Sequence, residues 1–198
     1  GKTWKRLKVE LPPSNSNFVH QVKEDPEKKG LLWLGTDKGL YFSPDDGDNW
    51  IRYKHGLPAA PVFGIAIQPQ FNDLVIGTYG RGIFILDDIT PIREFSTAVQ
   101  NSEVYLFAPG TAYRFQKIEG IKSKWAFSDG KNPPYGVSIN YYLKEEAKDS
   151  VHIQVLNMKG DTIDHMVVKG KQGINRSWWG LRHQEYHFPK LRTKPRGK

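Results

Sequence analysis

Cysteine is absent from this chain of 198 residues. That excludes a disulfide framework and thiolate chemistry. It leaves the compartment open, because exported bacterial proteins without disulfides are common. No apolar run approaches the ~18 residues of a membrane helix, so no membrane span is expected. No signal peptide is readable, and an internal fragment would have lost one. Histidines number six, and His20, His55, His152 and His165 stand isolated in the sequence. His183 and His187 enclose Gln184-Glu185-Tyr186 but do not spell H-E-x-x-H, and no helix is predicted there to align them on zinc. They read as surface histidines of a tail strand. No Ser-His-Asp order or nucleotide fingerprint is present. The turn Gly80-Arg81-Gly82 leads into a strand rather than a helix, so it is no phosphate cradle. No metal and no cofactor is expected.

Acidic residues are outnumbered, 21 against 29 Lys and Arg, for a net charge of +8. The excess is scattered except at the ends, with Lys2, Lys5, Arg6 and Lys8 at one and Lys190, Arg192, Lys194, Arg196 and Lys198 at the other. The last group, interleaved with Pro189 and Pro195, reads as a solvated tail at 189–198. No recognition helix or RNA-binding aromatic motif accompanies the charge, so nucleic acid is not an expected partner.

What the chain does contain is turn and strand. There are 19 Gly and 13 Pro among short β-branched and aromatic runs, with 38% hydrophobic residues. That composition favours a packed, all-β chain. It also repeats. Leu32-Trp33-Leu34-Gly35-Thr36 aligns with Leu74-Val75-Ile76-Gly77-Thr78, the Gly-Thr pairs lying 42 residues apart. The second copy has one extra residue in the following turn. Asp25-Pro26 and Gln68-Pro69, 43 residues apart, end the preceding strands. Self-similarity at such a period marks a repeat architecture.

Ser43-Pro44-Asp45-Asp46-Gly47-Asp48-Asn49-Trp50 reads S-x-D-x-G-x-[TN]-W and resembles the Asp-box, or bacterial-neuraminidase (BNR) repeat. That likeness implies a hairpin between the third and fourth strands of a β-propeller blade. Asp45 would accept hydrogen bonds from turn amides, and Gly47 would supply a conformation other residues resist. Trp50 would open the next strand and bury its ring against the blade. Asn49 stands where Thr is usual. The role implied for Ser43, Asp45, Gly47 and Trp50 is structural. Gly1-Lys2-Thr3-Trp4 is similar to the end of another box, 46 residues before Trp50, about one blade. The chain is therefore expected to begin inside a motif of a longer protein.

The pattern changes after Leu86. Residues 87–95 read as a short helix, with Asp88 or Thr90 as N-cap and Pro91 in the first turn. Val104–Phe107 is a predicted strand, and 116–134 is weakly patterned. Further strands are predicted at 136–143, 151–156, 162–168 and 173–181, with a hairpin loop at Asn157–Asp161. Short antiparallel strands at this spacing suggest an immunoglobulin-like β-sandwich. The expected organisation is propeller blades over 1–95, a connector at 96–112, a sandwich at 113–188 and the basic tail. Residues 12–88 should form two four-stranded units.

The run from Gly77-Thr78-Tyr79-Gly80-Arg81-Gly82 through Asp87-Asp88-Ile89-Thr90-Pro91 resembles the last-blade signature of large exported proteins abundant in Bacteroidetes. These are sortilin-like or BNR-repeat, glycosyl hydrolase-like propellers. Asn132-Pro133-Pro134-Tyr135-Gly136, Tyr141-Tyr142-Leu143, Gly173–Arg176 and Trp179 with Leu181-Arg182 resemble the sandwich that follows. The resemblance implies an exported protein engaged in glycan processing or binding, or a sortilin-like scaffold for peptides. Its partners would be glycan or peptide, and the remaining blades of a parent chain or a second copy. Hydrolysis in such proteins needs two carboxylates roughly 5 to 9.5 Å apart. Here Asp37, Asp45, Asp46, Asp48, Asp87 and Asp88 read more simply as turn, surface or capping groups, and no residue is assigned to catalysis. Tyr79 and Arg81, in the enlarged Gly-rich turn, are the candidate binding residues: Tyr can stack on a sugar face, and Arg can pair with a carboxylate.

Overall fold

The computed structural model describes Thr3 and residues 18–114 and 132–182. Most of the N-terminal box remnant, the basic clusters at both ends, the stretch 116–131 and the His183/His187 pair lie outside those residues. The chain divides into two compact units, one of residues 1–101 with 107–111, the other of 102–106 with 112–198. Antiparallel strands dominate both units. No helix among the described residues is long and apolar enough to cross a membrane.

In the first unit, β1 (Val19–Glu24), β2 (Leu32–Thr36), β3 (Gly39–Ser43) and β4 (Ile51–Tyr53) form a four-stranded antiparallel sheet in chain order. Strands β5 (Val62–Gln68), β6 (Asp73–Thr78) and β7 (Gly82–Leu86) form a second sheet, also in chain order. Leu31, Trp33 and Leu40 from the first repeat share one buried cluster with Val62, Ile65, Leu74 and Ile76 from the second, closed by Ile89. The repeats approach so closely at β2 that a Cβ on Gly35 would lie 2.6 Å from the Val62 carbonyl oxygen. Only glycine fits there.

The sequence repeat is also a repeat of contacts. Thr36 Oγ1 donates to the Gly39 carbonyl at 3.1 Å and Thr78 Oγ1 to the Gly82 carbonyl at 2.6 Å, each clamping the turn that follows its Gly-Thr pair. Asp25 accepts the amides of Glu27 and Lys28, and Gln68 accepts that of Phe71, so both turns after the first strand are held by a side chain. The eight-residue box lies between β3 and β4. Asp45 accepts the Ser43 hydroxyl at 2.8 Å and the Asn49 amide at 2.8 Å, with Gly47 at φ +88°. The Asn49 side-chain amide donates to the other Asp45 oxygen at 2.6 Å, which makes Asn a working substitute for Thr.

Three expectations need correction. Trp50 is half-buried rather than buried, its ring tied by its own N–H to the Gly47 carbonyl at 3.1 Å. The indole in the core is that of Trp33. The second repeat has three described strands, not four. After β7 the chain reverses at Asp88, in the left-handed region at φ 51°, and enters α1 (Thr90–Glu94). Neither Asp88 nor Thr90 is its N-cap. Ile89 holds that position without a side-chain bond, and Asp88 accepts the Thr90 amide from outside the helix. A second short helix, α2 (Thr97–Asn101), follows. From α1, Arg93 donates to Asp25 at 3.0 Å, Glu27 at 2.7 Å and Asn72 at 2.5 Å. It thereby fastens the corresponding turns of both repeats.

In the second unit, β8 (Val104–Leu106), β9 (Val137–Leu143) and β12 (Gly173–Trp179) form an antiparallel sheet of order β12-β9-β8. Strands β10 (Ser150–Leu156) and β11 (Thr162–Lys169) pair as a hairpin. Its loop is closed by Asn157, which accepts the Lys159 and Asp161 amides. Along β9 the polar Ser138 and Asn140 are buried as well as Tyr141 and Leu143, and Asn140 accepts a bond from Arg176 at 2.7 Å. Both faces of the strand therefore contribute buried residues.

Candidate functional site

The two repeats share an irregularity. Pairing of β1 with β2 skips one residue between Val19 and Gln21, and pairing of β5 with β6 skips one between Val62 and Gly64. The skipped residues are His20 and Phe63. A bulge frees its residue from the ladder and re-aims its side chain, which is why bulges cluster beside functional sites. Here the two re-aimed rings meet: His20 stacks on Phe63 with centroids 3.8 Å apart and planes 18° from parallel. The first strands are held side by side by Gln21, whose side-chain oxygen accepts the Ile65 amide at 2.6 Å.

The turn after each Gly-Thr pair completes the site. Asp37 and Tyr79 occupy the same position in the two repeats. The Asp37 amide donates to the Phe18 carbonyl at 3.1 Å and the Tyr79 amide to the Pro61 carbonyl at 2.9 Å. Asp37 also turns its carboxylate back, accepting the Phe18 amide at 3.0 Å and the His20 Nε2 proton at 2.6 Å. The Phe18 amide, then the His20 ring, hold its carboxyl below the ordinary value. An ionised carboxylate can only accept, so His20 presents an N–H at Nε2 to Asp37. On the other flank, the Tyr79 ring tilts against Phe63 at 5.8 Å. Phe63 and Tyr79 are 52% and 74% exposed. The result is a wet aromatic shelf with a fixed His–Asp pair behind it.

Of the two candidate binding residues, Tyr79 belongs to this shelf. Arg81 lies at the exposed end of the same turn. His20 is not isolated, as its sequence neighbours suggested. Nor are His152 and His165, which sit diagonally on β10 and β11 with Nδ1 and Nε2 3.0 Å apart. The pairing of His20 with Phe63 was missed, and a signal for it exists: extending the 43-residue offset along the first strands pairs the two.

Ser43, Asp45, Gly47 and Trp50 form a self-contained turn. Burial alone would raise the Asp45 carboxyl. The donors Asn49 and Ser43 outweigh burial and bring it below the ordinary value. Asp37 and Asp45 thus both shift in the direction opposite to that of a general acid, which needs a raised pKa. Asp46 and Asp48 are exposed. No three His, Asp or Glu side chains among the described residues cluster closely enough to hold a metal ion. No family model, curated protein or solved structure matches this chain.

Proposed function

We propose that residues 18–95 are two neighbouring blades of an Asp-box β-propeller, followed by an immunoglobulin-like β-sandwich, in an exported glycosyl hydrolase-like protein. Their contribution is to bind glycan rather than to cleave it. The observation that carries this reading is the shelf built by equivalent positions of two repeats, with Phe63 and Tyr79 presenting exposed ring faces beside His20. Flat apolar rings flanked by fixed polar groups suit a sugar, whose ring has an apolar face and a polar edge. The box hairpin between the third and fourth strands, and the packing of the two sheets through one core, support the blade assignment. Propellers have roughly four to eight blades, so the ring is completed by blades outside these two. Ile83 and Ile85 of β7, 73% and 59% exposed, support a completing strand or blade at that edge.

A glycan array probed with the whole chain tests the proposal. Binding to a defined set of glycans, abolished by Tyr79→Ala and Phe63→Ala with an unchanged circular dichroism spectrum, is the expected result. Binding that survives both substitutions would overturn it. Capture of peptides instead of saccharides would support a sortilin-like scaffold.

A further inference from the structure

A cavity of about 210 Å³ is lined by the turn after the first Gly-Thr pair, by β4 and the segment that follows it, and by Val62 and Thr78 of the second repeat. Its lining includes Lys38, Arg52 and Lys54 over a floor to which Leu40, Leu57 and Val62 contribute. No carboxylate is among the described residues that line it. The nearest acid described in the same turn, Asp37, is engaged by His20 and the Phe18 amide. Arg52 is held in place, with one Nη2 proton given to the Lys38 carbonyl at 2.6 Å. Its other guanidinium donors remain for a ligand, in the fork geometry that matches a carboxylate. The volume is below the roughly 300–1,000 Å³ of sites that enclose drug-sized molecules, and suits a single ring-sized group.

Cavity and shelf are continuous in the chain. Lys38 follows Asp37, Thr78 precedes Tyr79, and Val62 precedes Phe63; in each pair one residue lines the cavity and its neighbour belongs to the shelf or to the carboxylate behind it. We infer that the glycan bound here is acidic: a sugar stacked on Phe63 and Tyr79 is joined to a hexuronic acid whose carboxylate enters the cavity and pairs with Arg52, Lys38 and Lys54. This rests on the glycan reading and narrows it to uronate-containing chains.

The test compares trigalacturonate with a neutral galactose trisaccharide, titrated into the whole chain and followed by calorimetry and by amide shifts of Gly39, Arg52 and Lys54. Expected is a preference of about tenfold or more for the acidic ligand, the scale of a charge-assisted hydrogen bond, shrinking as salt is added. Arg52→Gln with Lys54→Gln should erase the preference. If the double variant does not fold, Lys54→Gln alone, an exposed position, should reduce the preference. An acidic preference unchanged in these variants would overturn the assignment. Equal affinity for both trisaccharides would sink the acidic subsite and leave glycan binding standing. Free galacturonate shifting the cavity amides, with no trisaccharide bound and Tyr79→Ala silent, would keep the subsite and sink the glycan reading. A peptide carboxylate that shifts those amides where galacturonate does not would overturn the inference.

Discussion

The first repeat, β1 to β4, and the second, β5 to β7, have the same backbone at the places that make turns and bulges and different side chains at the places that face outward. Gly35 matches Gly77, Thr36 matches Thr78, and the bulge at His20 matches that at Phe63. Yet Asp37 stands where the second repeat has Tyr79, and His20 where it has Phe63. Positions that hold the hairpins together are the same because hydrogen-bond geometry leaves few alternatives. Positions freed by the bulges carry no such duty, and there the two repeats have become complementary. One supplies a hydrogen-bonded His–Asp pair and the other supplies ring faces.

The sharpest way to break this comparison is in the core. Trp33 and Val75 are aligned, but Trp33 is fully buried and Val75 only partly so. Trp33→Ala should destabilise the first unit by about 3–5 kcal/mol, the range for truncating a buried aromatic. Val75→Ala should have a much smaller effect in the same urea titration. Trp50→Ala, at a half-buried position, should fall well short of Trp33→Ala. Equal losses for the two tryptophans would mean that the box ring anchors the fold after all.

Next in size is a pair of glycines. At Gly35 an added methyl meets the Val62 carbonyl oxygen at 2.6 Å, while at Gly77 the nearest atom is the Gly64 Cα at 3.7 Å. Gly35→Ala should therefore cost about 1–3 kcal/mol or more, as overpacking does, and Gly77→Ala should be close to neutral. The same residue in the same motif is obligatory in one repeat and convenient in the other. Identical unfolding midpoints for the two variants would show that the repeats do not approach as described.

A third comparison sets the box against the repeat that lacks one. Asn49→Ala removes the 2.6 Å bond to Asp45 and should cost about 1 kcal/mol, the net value of one such bond. Both downward-shifted carboxyls, Asp37 and Asp45, belong to the first repeat. A carboxyl whose pKa is depressed by folding stabilises the fold above its unfolded value of about 3.8 and ceases to do so as pH falls through the lower folded value. The first repeat should therefore soften first in acid. Hydrogen exchange between pH 4 and pH 2 should accelerate at the Phe18 and Asn49 amides before it does at Tyr79, and the opposite order would contradict the assignment.

These contrasts also explain what could be read from the residues alone. Turn chemistry is local, so Ser43–Trp50, the Gly-Thr pairs and the Asn157 loop were legible. The short helix was legible through Pro91, but its cap was not, because Asp88 enters the left-handed region and places its side chain ahead of the helix rather than on it. Depth of burial depends on what the other sheet covers, and that misplaced the anchor from Trp33 to Trp50. The Arg93 fastening and the His20–Phe63 stack join residues 68 apart and 43 apart, and no local pattern announces either. The exposure of Tyr79 was legible because an aromatic in a Gly-rich turn has no core to enter.

The smallest expected change in stability is the most informative about function. Tyr79 is 74% exposed, and its ring meets Phe63 in a tilted contact at 5.8 Å. Tyr79→Ala should leave stability within about 0.5 kcal/mol, as surface substitutions do. The backbone bond from its amide to the Pro61 carbonyl does not need the ring. His20→Ala behaves differently, since it leaves Asp37 with one donor fewer and removes the ring stacked on Phe63. The two variants therefore separate shelf from scaffold: Tyr79→Ala should weaken saccharide binding with an unchanged melting temperature, and His20→Ala should weaken both. If Tyr79→Ala lowers the melting temperature as much as His20→Ala does, the ring is part of the packing, and an exposed aromatic in this turn is no evidence for a ligand.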